Sequence, residues 1–190
     1  MRSRNDEVTG THCLIILNQV FIKKNVPIIF RLTCAPKSLN RMSNISQSPP
    51  VLLARAAGLK LRGRVHFAKD SIGDIEHGES EDFEVFRKVI LEPSKDQPEK
   101  PGAILIVRFS FARFAAKTNR FLSLIPIPFI VAQQGFRSKT WMIGQKTGAF
   151  QGLYEWDSIE DAKKYWSSFP MKLMKRRAVP ETLSHEIRAV

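Results

Sequence analysis

Ile104-Leu105-Ile106-Val107-Arg108-Phe109-Ser110-Phe111 reads as one β-strand, and neither of its faces is polar. Side chains alternate across a strand. Ile104 and Ile106 therefore share one face, while Leu105, Val107, Phe109 and Phe111 share the other. Arg108 is the single charge inside the run. A strand that is apolar on both faces is expected to be buried on both.

The surrounding residues supply the rest of a domain. Ala112 to Leu124 has helical spacing, with Phe114, Thr118, Phe121, Leu122 and Ile125 on one face and Arg113, Lys117 and Arg120 on the other. Pro126 and Pro128 are expected to end that helix, and a loop leads through Gln133, Gln134 and Gly135. Phe136 to Ile143 is a second strand, Gly144 to Gly148 a hairpin turn and Ala149 to Trp156 a third strand. Asp157-Ser158-Ile159-Glu160-Asp161 starts a helix: Asp157 or Ser158 can cap it, with Glu160 or Asp161 reciprocating. Ala162, Tyr165, Trp166 and Phe169 continue it, Pro170 interrupts or restarts it, and Leu173 and Met174 carry it on. Thr182 to Val190 is the last strand. Strand, helix, strand, strand, helix, strand is the ferredoxin-like split βαβ pattern, of the α+β class. Its helices cover one face of the sheet. The other apolar face calls for a second layer, supplied by an identical chain or by residues 51–100 of the same chain.

Upstream, the chain divides into two further regions. Residues 51–102 form a small helix-plus-strands region and a linker: a short basic helix from Val51 to Gly63, strands at Arg64–Ala68 and Asp82–Leu91, and a Pro-, Lys- and Glu-bearing connection from Glu92 to Gly102. Residues 1–50 are expected to be a flexible extension ending in Ser48-Pro49-Pro50, with a short hairpin within Leu14–Phe30 as the competing reading. Met42-Ser43-Asn44 reads as a possible translation start. Cys13 and Cys34, the two cysteines, both lie in this extension, so no disulfide framework is expected in 103–190. A reducing, cytoplasmic setting is the simplest fit. The apolar stretch Cys13–Phe30 is broken by Asn18, Gln19, Lys23, Lys24 and Asn25, so no membrane span is expected.

Thirty basic residues against eighteen acidic ones give a net charge of +12. Such a balance fits nucleic acid, an acidic membrane surface or an anionic ligand. No basic stripe, zinc-finger spacing, RNP-type motif or phosphate loop accompanies it, so a solvated basic surface is expected rather than a nucleic-acid site.

The stretches Gly135-Phe136-Arg137-Ser138-Lys139-Thr140-Trp141 and Phe150-Gln151-Gly152-Leu153-Tyr154-Glu155-Trp156 carry a Gly-Phe, a Lys-x-Trp and a Gly-x-Tyr in succession. With the helix bearing Ala162 and Tyr165 behind them, they resemble the YdhR-like monooxygenases of the dimeric α/β-barrel (antibiotic biosynthesis monooxygenase-like) superfamily. The resemblance begins at about Ala103. It implies a homodimer joined through the sheet face and a ligand cavity between sheet and helices. It further implies a cofactor-independent monooxygenase-like activity on an aromatic or polycyclic small molecule. Haem-degrading relatives take an iron ligand from a helix His and use an Asn on the first strand. Neither stands at those positions here, so no cofactor is expected.

Trp141, Tyr154, Trp156, Tyr165, Trp166 and Phe169 fall close together in this layout and suit a flat, hydrophobic substrate, although aromatics in such places also build cores. Trp141 shares a face with Lys139 and Ile143, and Gly152 leaves room above the sheet. His185 alternates with Leu183 and Ile187 and is the candidate proton acceptor, with Tyr154 the second catalytic candidate. Arg108 is placed to hold an anionic oxygen or to pair with Glu155 or Glu186. His66 and His77, near Asp70, Asp74, Glu76 and Glu79, match no ligand spacing, so no metal is expected. The alternative to an enzyme is a non-catalytic dimeric module that binds a small molecule or a partner.

Overall fold

A computed structural model describes residues 47–190 apart from Glu79. The expectations for residues 1–46, including the extension, the hairpin and a start at Met42, lie outside the described residues. The elements are α1 (Pro49–Leu61), β1 (Val65–Phe67), β2 (Ile75–His77), β3 (Asp82–Leu91), β4 (Ala103–Phe109), α2 (Ala116–Leu122), α3 (Ile127–Val131), β5 (Phe136–Gly144), β6 (Phe150–Trp156), α4 (Ile159–Trp166), α5 (Phe169–Lys175) and β7 (Ser184–Ala189). No helix among them is long and apolar enough to cross a membrane.

All seven strands form one sheet in the order β1-β3-β5-β6-β4-β7, with β2 also paired to β3. Within it, β5-β6-β4-β7 is the antiparallel ferredoxin-like arrangement of second, third, first and fourth strands. The region 51–102 joins this fold directly. Its strand β3 pairs with β5 along most of its length, and β1 and β2 lie end to end on the outer edge of β3.

The alternation in β4 is as the sequence predicts. Leu105 and Val107 are fully buried, whereas Ile104 and Ile106 are only partly so. The first pair faces the helices and shares a core with Leu52, Ile130, Trp156 and Tyr165. Helix α1 packs on α3 and buries Leu52, Ala56 and Leu59 in that same core, so it adds to the helical layer, and no helix among the described residues covers the opposite sheet face. On that open face Phe83, Val85 and Met142 make a small second cluster, flanked by Leu153.

The first helical segment departs from its predicted pattern. Phe114, Phe121 and Ile125, read as its buried face, are 66%, 69% and 58% exposed. The helix starts only at Ala116, and its inward residues are Asn119 and Ser123. Hydrogen bonds, not hydrophobicity, turned it. The Asn119 amide donates to the carbonyls of Arg113 (3.0 Å) and Phe114 (2.9 Å), and its oxygen accepts from Arg177 Nη2 (3.0 Å). Those bonds hold Phe114 at a φ of +69°, a conformation a bulky side chain adopts only under restraint. Pro126 and Pro128 do not lead into a loop either. They start α3, because a proline at the first helical positions lacks only an N–H that would be unpaired there anyway.

The second helical segment splits at Pro170 into α4 and α5. Ser158 is the cap, its Oγ accepting from the Asp161 N–H at 3.2 Å. Asp157 is thereby free for another task. It forms an ion pair with Arg137 of β5 and accepts from Gln97 Nε2 at 2.8 Å, while Arg137 also donates to the Pro98 carbonyl. The Arg137 and Asp157 side chains are only 7% and 15% exposed. This pair ties the Glu92–Gly102 connection across the end of the sheet.

Removing one partner of such a pair strands the other charge. Arg137→Met and Asp157→Ala should each lower unfolding free energy by about 3–5 kcal/mol in urea titrations. A loss below about 1 kcal/mol in both, typical of exposed pairs, would refute a structural role.

Candidate active site

Register on the helix side of the sheet assembles the site. Lys139 lies opposite Tyr154, Trp141 opposite Gly152, and Ile143 opposite Phe150. Alternation then places Lys139, Trp141, Phe150, Gly152 and Tyr154 on one surface beneath the helices. Between that surface, α5 and the Ser123–Pro126 connection lies a cavity of about 170 Å³, with Leu173 and Met174 on the helical side and Phe109, Phe111 and Trp141 on the sheet side. An engineered apolar cavity of about 150 Å³ holds benzene, so this one has room for about one aromatic ring. Lys139 and Arg177 are the charged residues lining it; no carboxylate does so among the described residues.

Lys139 dominates the chemistry. The residue is 6% exposed, and its Nζ sits 4.2 Å from the Trp141 ring centroid and 4.3 Å from that of Tyr154. Among the described residues, no carboxylate comes within ion-pair distance of it. Burial holds its amine well below the ordinary value of 10.5, and the nearby Arg87 charge pushes the same way. A lowered amine pKa is the property that base or nucleophile chemistry asks of a lysine.

Tyr154 is packed from behind. Its ring is 5.2 Å from Tyr165 and 6.4 Å from Trp156, and Trp156 lies 4.8 Å from Tyr165. A Cβ at position 152 would lie 2.9 Å from Tyr154 Cε2, so glycine is what lets this ring lean over β6. Burial raises the Tyr154 hydroxyl, and a hydrogen bond from Tyr165 offsets part of that rise. The Tyr165 hydroxyl is raised by burial, by Tyr154, and by the loss of that bond on ionisation. Along the lining, Ser123 Oγ accepts from Arg87 Nη1, and the Arg177 guanidinium lies 4.8 Å from the Phe111 ring centroid.

The residues singled out from sequence do not all meet here. Trp141 and Tyr154 line the cavity. Trp156 and Tyr165 are buried behind Tyr154 as its support. Phe169 is 42% exposed and packs edge-on to Phe129 at 6.0 Å. His185 sits opposite Val107 on the helix side, but on the edge strand β7, where it is exposed and stacks on Trp166 at 3.8 Å. Trp166 is held from the other side by Lys175, 3.5 Å from its ring centroid. Arg108 is on the open face, bonded to Gln151 and 5.4 Å from the Phe83 ring centroid, so it pairs with neither Glu155 nor Glu186. His66 and His77 pair with Glu92 and Asp82, and no group of three or more metal-ligating side chains occurs among the described residues. Sequence reasoning missed Lys139 as a functional group. Its signal was a lysine alternating with Trp141 and Ile143 on a strand face, which would ordinarily be read as a side chain reaching for solvent.

No protein-family model matches the chain, and no curated protein matches it. Among solved structures, it is similar to the heme-degrading enzyme LmHde of Listeria monocytogenes, at 11% identity and a TM-score of 0.43 over 80% of this chain and 92% of that one. An uncharacterized ferredoxin-fold protein of Listeria monocytogenes 4b F2365, related to antibiotic biosynthesis monooxygenases, gives 12% and 0.45 over 83% and 90%. An anthrone oxidase-like protein gives 16% and 0.38 over 57% of this chain and 52% of that one.

A lysine whose folded pKa lies below its unfolded value makes stability rise with pH between the two, because the unfolded chain binds the extra proton there. Lys139→Met should therefore be more stable than the parent near neutrality, and its advantage should shrink as pH rises toward 10.5. Denaturation midpoints of both proteins across that range test this; a pH-independent difference would contradict a neutralised amine.

Proposed function

We propose that this chain is a cofactor-independent monooxygenase acting on a small aromatic compound with an ionisable hydroxyl, bound between sheet and helices. The observation that carries the reading is Lys139: an amine inside an aromatic-lined cavity, with no carboxylate partner among the described residues. The resemblance of the Lys-x-Trp and Gly-x-Tyr stretches supports the same class. The cavity's size favours a single ring within it over a polycycle.

Lys139, rather than the exposed His185, takes the proton-accepting role. It removes the substrate's hydroxyl proton, and the ammonium so formed is compensated by the anion beside it and by the faces of Trp141 and Tyr154. The electron-rich anion reduces dioxygen and forms a bond from ring carbon to oxygen. One oxygen atom stays on the ring and the other leaves as water. That water's hydrogens come from the hydroxyl, by way of Lys139, and from the attacked ring carbon, leaving a quinone. Tyr154 directs its O–H at the substrate oxygen and orients it.

Oxygen uptake with a panel of phenols and hydroquinones tests this. A positioned general base contributes about 10²–10⁴-fold, so Lys139→Met should lose activity on that scale. Tyr154→Phe should lose less, and His185→Ala should match the parent. No uptake by the parent, or full uptake by Lys139→Met, would sink the proposal.

We further propose that a second copy of the chain covers the open sheet face, where Ile104, Ile106 and Leu153 remain partly exposed. Sedimentation should give a dimer for the parent and a monomer for Ile106→Lys; a monomeric parent would refute it.

A further inference from the structure

We propose that Lys139 also captures carbonyl compounds: the cavity admits a one-ring aromatic aldehyde, and the ε-amine condenses with it to an imine. This rests on the cavity and its amine, not on the oxygenase reading. Three observations carry it. The amine lies inside a pocket of about 170 Å³, enough for one ring, and the lining includes Ile125, which is 58% exposed. Its contacts are ring faces at 4.2 and 4.3 Å, and no carboxylate among the described residues pairs with it. The remaining lining is apolar apart from Ser123, Gln151, Tyr154 and Arg177, so a neutral carbonyl compound enters without stranding a charge. Nucleophilic lysines are made by this kind of desolvation and by a neighbouring cation, here Arg87.

The chemistry balances within the cavity. The nitrogen lone pair attacks the carbonyl carbon, and a proton moves from nitrogen to oxygen to give the carbinolamine. Its hydroxyl then leaves as water, both hydrogens of which come from the amine, as the carbon–nitrogen double bond forms. The Tyr154 hydroxyl, on the ring against which the amine rests, hydrogen-bonds the departing oxygen. No oxidant or reductant is needed. A ligand with a buried carboxylate of its own would instead draw a proton onto Lys139 and block the addition, which limits the class to neutral aldehydes and unhindered ketones.

Reductive trapping decides it. The full-length protein is incubated with benzaldehyde and cyanoborohydride under argon near neutral pH, then peptide-mapped. A benzyl adduct concentrated on Lys139, lost when excess toluene fills the cavity, is the expected result. The toluene arm works on the parent and does not depend on a variant folding. Lys139→Met should show only the slow background of surface lysines. Adducts spread evenly over surface lysines, or labelling of Lys139 that toluene does not reduce, would overturn the inference. Because oxygen is excluded, the outcome is independent of whether phenols are oxidised.

Discussion

The ε-amine of Lys139 lies against the faces of Trp141 and Tyr154 inside a wall of apolar side chains. An ammonium buried there without a counter-ion would cost several kcal/mol, and that burial lowers the pKa of the amine. The surroundings follow from that constraint. Gly152 makes room for the Tyr154 ring, Tyr165 and Trp156 brace it from behind, and the lining contains no carboxylate among the described residues. What remains is a buried amine facing a ring-sized space.

The fold delivers these groups by register rather than by sequence proximity. Lys139 and Tyr154 are cross-strand partners on β5 and β6, held in place by the Glu81 carboxylate, which accepts from the Lys146 and Thr147 N–H groups at the hairpin turn (both 3.0 Å). The Arg137–Asp157 pair fixes the other end of the same two strands and anchors the connection that crosses it. On the helical side, Asn119 and Arg177 secure the segment that leads to the cavity mouth. Polar networks thus frame an apolar pocket on three sides, each satisfying buried groups that would otherwise be orphaned.

Some of this was readable one residue at a time. The apolar alternation in Ile104–Phe109, the paired glycines around the β5–β6 hairpin and the Ser158 start of α4 carry local signals that the structure repeats. Asn119 shows the opposite case. Its helix displays phenylalanines on what periodicity calls the buried face, yet the bonds of Asn119 to the Arg113 and Phe114 carbonyls and to Arg177 turn that face outward. Period alone cannot register such bonds. His185 shows a third case: its inward parity was right, but an edge strand left it in solvent beside Trp166.

By itself the amino-acid sequence determined the β-α-β-β-α-β order of residues 103–190, the α+β class and the double-sided hydrophobicity of β4, because these arise from neighbours along the chain. Only the tertiary structure decided that β3 joins the same sheet and that Arg108 faces away from the cavity. It alone decided that Lys139 is enclosed. Burial is a property of what packs above a residue, and the groups that enclose this lysine come from α5 and the connection after α2, a dozen or more positions away in either direction.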